Sequence, residues 1–140
     1  MSNVYARDRT TTTLETINVA RELSAEIYKL IMNDAKVPKK HRYFIGKSLY
    51  TISDKIIENL YRANNIYPRS KTDLELRLSF QNKSLQECTL LMNMLELYSQ
   101  ILPQLSYKDM EKYANLSMRV KQLLSNWIKS DKKQFENLLD

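Results

Sequence analysis

An all-α, antiparallel up-down four-helix bundle is the fold this sequence predicts, and three observations lead there. The 140 residues include one glycine and three prolines, too little turn material for a sandwich or barrel that reverses about every 8–12 residues. Apolar residues recur every three or four positions in four separate stretches, the signature of amphipathic helices. Short polar or proline-containing segments separate the stretches, which sets successive helices side by side. A chain of this length makes one domain and buries roughly 68% of its unfolded surface without staples.

Met1 to Thr11 shows no apolar periodicity and too little apolar surface to offset the entropy of ordering, so it reads as a flexible head. Thr12 and Glu15 have the spacing of a capping box. Ala20, Leu23, Ile27, Leu30 and Ile31 then give the first helix its stripe. Pro38 suits the first turn of the second helix, where a missing N–H is no loss. Ile45, Leu49, Ile52, Ile56 and Leu60 carry that helix's apolar face, and Pro68 marks its end. Gly46 inside it costs about 1 kcal/mol relative to alanine, which a close helix crossing would explain.

Thr72 and Glu75 form a second capping-box pattern. Leu74, Leu78, Leu85, Cys88, Met92, Leu95 and Leu102 define a long third helix, interrupted by Gln81 and Ser99 and stopped by Pro103. Ser106 with Asp109 opens the fourth, where Met110, Tyr113, Ser117, Val120, Leu124 and Trp127 share a face. Trp127 reads as a core or interface anchor. The bundle is expected over residues 12–129 and a C-terminal extension over 130–140. Leu90, Leu91, Met94, Leu123 and Ile128 broaden the stripes, either to fill a monomer's core or to serve a neighbouring subunit.

Several function classes find no residues to carry them. The single cysteine, Cys88, forms no internal disulfide and sits in an apolar helical run as a small core residue. Neither an 18-residue apolar stretch nor a signal-like N-terminus is present, so a cytoplasmic protein without membrane contact is expected. The lone histidine, His41, has no companion at ligand spacing, so no metal is expected. With one glycine there is no phosphate-cradling loop, and no nucleophile elbow occurs. The expectation is a protein that is not an enzyme, with no catalytic residues and no cofactor.

Charge is where the sequence speaks most clearly. Between Lys36 and Lys71 stand nine basic residues, Lys36, Lys39, Lys40, Arg42, Lys47, Lys55, Arg62, Arg69 and Lys71, against Asp54 and Glu58 alone. That segment is +7 while the whole chain is +6. Cations gathered on one segment are the footprint of a surface that meets phosphate, as in RNA or DNA, or another polyanion, and the positive helix start disfavours Lys39, Lys40, Arg42 and Lys47 by a few tenths of a kcal/mol each. Tyr43, Tyr50, Tyr61 and Tyr67 lie in the same segment. Their rings either stack on unpaired bases beside the cations or line the bundle's edge, and Tyr43 is the strongest stacking candidate.

Val37-Pro38-Lys39-Lys40-His41-Arg42-Tyr43 with Gly46, Ala63-Asn64 closing the second helix, and Ser125-Asn126-Trp127-Ile128 ending the fourth carry a resemblance. Over roughly residues 13–129 the chain resembles the small bacterial and phage four-helix-bundle proteins. This group includes the accessory variability determinant proteins of diversity-generating retroelements and the proteins encoded in intervening sequences of 23S rRNA genes. The retroelement branch implies a homopentameric barrel with a basic surface. It also implies binding of template RNA and the reverse transcriptase, in support of adenine-mutagenic cDNA synthesis. Lys39, Lys40 and Arg42 match the family's basic second-helix start, and Arg69, Lys71 and Arg77 lie where members are also basic. The intervening-sequence branch implies instead a structural bundle whose basic face meets folded RNA or an acidic protein.

Overall fold

Four helical rods account for nearly all of the chain. A computed structural model describes the backbone over residues 2–140 and side chains over residues 12–140. The elements are α1 (Ser2–Met32), α2 (Lys39–His41), a π-helical segment (Arg42–Gly46), α3 (Lys47–Asn64), α4 (Lys71–Ile101) and α5 (Tyr107–Gln134), with a final 3-10 turn at Glu136–Leu138. The α2, π and α3 pieces abut and form the second rod. Among the described residues no strand occurs, and no helix is long and apolar enough to cross a membrane.

Each rod packs on two others. α3 lies against α1 and α4, and α5 closes the ring against α4 and α1. Side-chain bridges fix how the rods meet. Arg119 reaches Glu15 at 2.9 Å and Lys112 reaches Glu26 at 2.7 Å across α5 and α1. The Tyr98 hydroxyl donates to Ser48 and the Ser84 hydroxyl to the Ile56 carbonyl, both at 2.8 Å, across α4 and α3. Leu23, Ile27, Leu49, Ile56, Leu91 and Leu124 fill the middle with almost no exposed surface, each burial contributing about 1.5–3 kcal/mol. Trp127 is fully buried among them.

Helix starts follow capping chemistry, with two departures from expectation. Ser106 accepts from the Asp109 N–H while Asp109 accepts from the Ser106 N–H, a complete capping box. At α4 the cap is Ser70, whose hydroxyl accepts from the Asp73 N–H. Thr72 therefore lies inside the helix, not at its cap. Thr12 likewise lies within α1, and its carbonyl accepts the Thr16 hydroxyl at 2.8 Å. The head expected over residues 1–11 falls on positions whose side chains lie outside the described residues.

Gly46 lies where the second rod crosses α1. A Cβ there would come within 2.8 Å of Ile31 Cγ2, so the absent side chain permits the close approach. The five-residue π turn that ends at Gly46 shifts the register of exposed side chains just ahead of it.

Gln81 does not interrupt α4. It is fully buried, and its amide nitrogen donates to Asp131 Oδ2 at 2.7 Å, while its Oε1 is buried without a partner among the described residues. The C-terminal segment is also more than an appendage, because Asp131 and Phe135 are both buried.

Candidate nucleic-acid interface

The ten cations expected at a nucleic-acid surface fall into three groups. Arg77 is a correction. It is 5% exposed, held by Asp131 at 2.7 and 2.9 Å and by the Ile66 carbonyl at 2.7 Å, with its guanidinium 5.2 Å from the Trp127 ring centroid. The apolar rows of α4 and α5 enclose it, so it is a core residue and reaches no external phosphate.

Lys36, Arg42 and Arg62 are already engaged. Lys36 pairs with Asp109 at 2.7 Å and donates to the Gln104 carbonyl at 3.3 Å, tying the loop after α1 to the start of α5. That ammonium holds the Asp109 carboxyl below its ordinary value, against a smaller opposing effect of burial. Arg42 pairs with Asp34 and donates to the Ile31 carbonyl at 3.1 Å, closing the end of α1. Arg62 bridges to Glu58 one turn earlier at 2.7 Å. The first two act as clasps between elements, and the third as an exposed helix pair contributing about 0.3–0.5 kcal/mol.

Lys39, Lys40, Lys47, Lys55, Arg69 and Lys71 are exposed and enter no ion pair recorded among the described residues. They are not one cluster. Lys39, Lys40 and Lys47 precede or open α3, Lys55 stands alone midway along it, and Arg69 and Lys71 follow it. An 18-residue helix at 1.5 Å per residue is about 27 Å long, so the run contiguous in sequence is drawn out into two poles. This corrects the picture of a single gathering of positive charge.

The pole at the start of the second rod carries more than charge. Tyr43 and Phe44, both in the π segment, are 69% and 75% exposed. Their rings meet edge to face with centroids 5.2 Å apart. Lys47 Nζ stands 5.5 Å from the Tyr43 ring centroid. Tyr28 and Met32 from α1 and Tyr50 from α3 are exposed beside them. One shallow depression is lined by Tyr28, Met32, Tyr43, Gly46, Lys47 and Tyr50. A second, lined by Phe44, Ser48 and Thr51, shares Tyr43 and Lys47 with it. Lys39 and Lys40 lie one turn before the aromatic pair.

Phe44, Tyr28 and Met32 escaped the reading of the sequence. Tyr28 and Met32 are four apart on the side of α1 away from its buried row, a signal that was available. The outward turn of both Tyr43 and Phe44 depends on the π segment, which no periodicity announces.

The remaining tyrosines of the segment take other roles. Tyr61 accepts from Arg21 Nε at 2.9 Å, and Tyr67 stacks edge-on with Phe135 at 5.8 Å. Among the described residues no group of three His, Cys, Asp or Glu side chains is placed to hold a metal.

No protein-family model, curated protein or solved structure matches this chain.

Proposed function

We propose that this protein is a non-enzymatic RNA-binding accessory factor of a diversity-generating retroelement. In this reading it holds template RNA at the corner formed by the end of α1, the π segment and the start of α3, and meets the element's reverse transcriptase. The four rods run up and down antiparallel, the protein self-associates, and it works in the cytoplasm of a bacterium or of a phage's host. The retroelement setting and the polymerase partner come from the resemblance of the Pro38–Tyr43 and Ser125–Ile128 stretches. The RNA-binding step rests on residues of this chain.

One observation carries that step: two exposed aromatic rings, Tyr43 and Phe44, stand beside cations that no carboxylate among the described residues neutralises. An exposed ring accepts the face of an unpaired base, contributing about 1–3 kcal/mol per base. Lys39, Lys40 and Lys47 then lie where the phosphates flanking stacked bases pass, and release counterions when they engage them. No bond is made or broken by the protein. A duplex hides its base faces, so the same surface engages double-stranded RNA through charge alone.

Binding of one labelled RNA sequence, single-stranded and annealed to its complement, tests this reading. Tyr43→Ala/Phe44→Ala is expected to weaken single-strand binding at least tenfold and leave duplex binding nearly unchanged. Equal loss on both forms, or no loss on either, removes the stacking mechanism.

A further inference from the structure

The last turns of α4 and the first turns of α5 leave a groove of about 580 Å³ between them. On α5 its wall is the outward row Tyr107, Glu111 and Ala114, which continues to Met118 in steps of four, three and four. On α4 the wall is Met92, Glu96 and Ser99, in steps of four and three. Two rows at helical spacing, side by side, form a channel whose shape fits a third helix laid along it. From Tyr107 to Met118 the channel runs for about three turns, or roughly 17 Å.

The floor is apolar and the walls are acidic. Met92, Met110 and Ala114 are half-buried in the floor, and unbranched methionine side chains repack readily around an incoming apolar group. Tyr107 at one end is 86% exposed and Met118 at the other is 60% exposed, so the core uses neither. Each wall carries one carboxylate, Glu96 on α4 and Glu111 on α5. Both are exposed and enter no ion pair recorded among the described residues. The neighbouring cations do not quench them. Lys36 holds Asp109, Lys112 holds Glu26 on the α1 side of α5, and Lys108 makes no recorded pair with Glu111 one turn on.

We propose that this groove takes a basic amphipathic helix of another protein, about three turns long. The apolar face of that helix lies on Met92, Met110 and Ala114. Lysine or arginine side chains on its two flanks reach Glu96 on one wall and Glu111 on the other. Charge selects the occupant. The two carboxylates repel phosphate, so the groove refuses RNA, and a helix with acidic flanks would set like charges against them. The chain as a whole is +6 and repels a basic segment elsewhere, which confines such a partner to this channel. In the ring of rods the α4–α5 edge lies across from the α1–α3 edge that bears the aromatic corner. The docking surface is therefore separate from the RNA surface, and the proposal stands independently of the nucleic-acid reading.

Fluorescence anisotropy of the full chain with labelled synthetic peptides tests it. The probe is a leucine–lysine peptide of about 14 residues, patterned to put the leucines on one helical face. It is expected to bind, with affinity that falls as salt rises. The same pattern with glutamate for lysine, and the same composition with the leucines scattered, are expected not to bind. Glu96→Gln/Glu111→Gln should weaken binding on the order of tenfold and leave the helical circular dichroism unchanged, both side chains being exposed. Glu75→Gln/Glu136→Gln removes the same charge at the other end of these helices and should leave binding as it was. Ala114→Arg, which fills the groove with a cation, should abolish it, and the glutamine pairs decide the matter even if that variant fails to fold. Absence of binding by the leucine–lysine helix overturns the proposal. So does equal binding of the scattered peptide, or an equal effect of the two glutamine pairs. Self-association of the peptide-free chain that Ala114→Arg abolishes also overturns it, since a second copy then fills the groove.

Discussion

Arg77, near the start of α4, grips Asp131, near the end of α5, through two nitrogens on one edge of its guanidinium, Nε to Oδ2 at 2.7 Å and Nη2 to Oδ1 at 2.9 Å. Both side chains are buried, so each is the other's neutralising charge where water cannot reach. The Ile66 carbonyl and Gln81 complete the cluster, joining the loop before α4 to the last turns of α5.

Breaking this pair by one partner leaves an uncompensated buried charge. Arg77→Met and Asp131→Asn are each expected to cost about 3–5 kcal/mol. The double variant Arg77→Met/Asp131→Asn should cost less than the two single losses added together, since it removes both charges. Urea denaturation of the four proteins measures the coupling; strict additivity would show that the two groups do not depend on one another.

Gly46→Ala sets two effects against each other. Alanine gains about 1 kcal/mol of helix propensity, but its Cβ would lie 2.8 Å from Ile31 Cγ2. Overpacking of this kind costs about 1–3 kcal/mol, so net destabilisation is expected, with a lower melting temperature. In an Ile31→Ala background, where that methyl is gone, the same glycine replacement should become neutral or stabilising.

Acid should loosen the clasps between elements. Hydrogen bonding from Lys112 holds the Glu26 carboxyl below its ordinary value, and Lys36 does the same for Asp109. A carboxyl depressed in the folded state stabilises the fold above its unfolded value and loses that contribution as pH falls through its folded value. The ordinary values are 4.5 for Glu26 and 3.8 for Asp109, so melting temperature should begin to fall from these pairs below about pH 4.5. Asp109→Asn/Glu26→Gln should melt lower than the parent at pH 7 and show a shallower decline in acid.

Burial pushes the Cys88 thiol up to about 12, and the residue has no exposed surface. At pH 8 it is almost entirely the unreactive thiol. A thiol-specific chromogenic reagent should therefore label the folded protein only at the rate of its opening, and the urea-unfolded protein within seconds to minutes. Rapid labelling of the folded chain would contradict the placement of Cys88 in the core.

Much of the fold was legible because helical periodicity and core burial are the same fact seen twice. Leu49, Ile56 and Leu60 on α3, and Val120, Leu124 and Trp127 on α5, were picked out by spacing and are buried. Gly46 announced the close crossing it makes with Ile31. The caps were harder to read. Ser70 and Thr72 both stand three residues before an acid, Asp73 or Glu75, and local pattern does not decide between them. Arg77 was grouped with the surface cations through the family resemblance, and its buried partner, Asp131, stands 54 positions away in the sequence, where no local pattern joins the two. The basic run was misread for a simpler reason: proximity in sequence becomes distance in space along a helix.

That division into two poles gives the account its most direct test. The measurement is the salt dependence of single-stranded RNA binding for the parent, for Lys39→Ala/Lys40→Ala/Lys47→Ala and for Arg69→Ala/Lys71→Ala. If the pole beside Tyr43 and Phe44 holds the RNA, three neutralised phosphates make its share of the slope of log affinity against log salt about −2. The triple variant should lose that share while the double variant keeps it. A parent slope near zero, or a slope lost only when Arg69 and Lys71 are removed, would contradict the assignment.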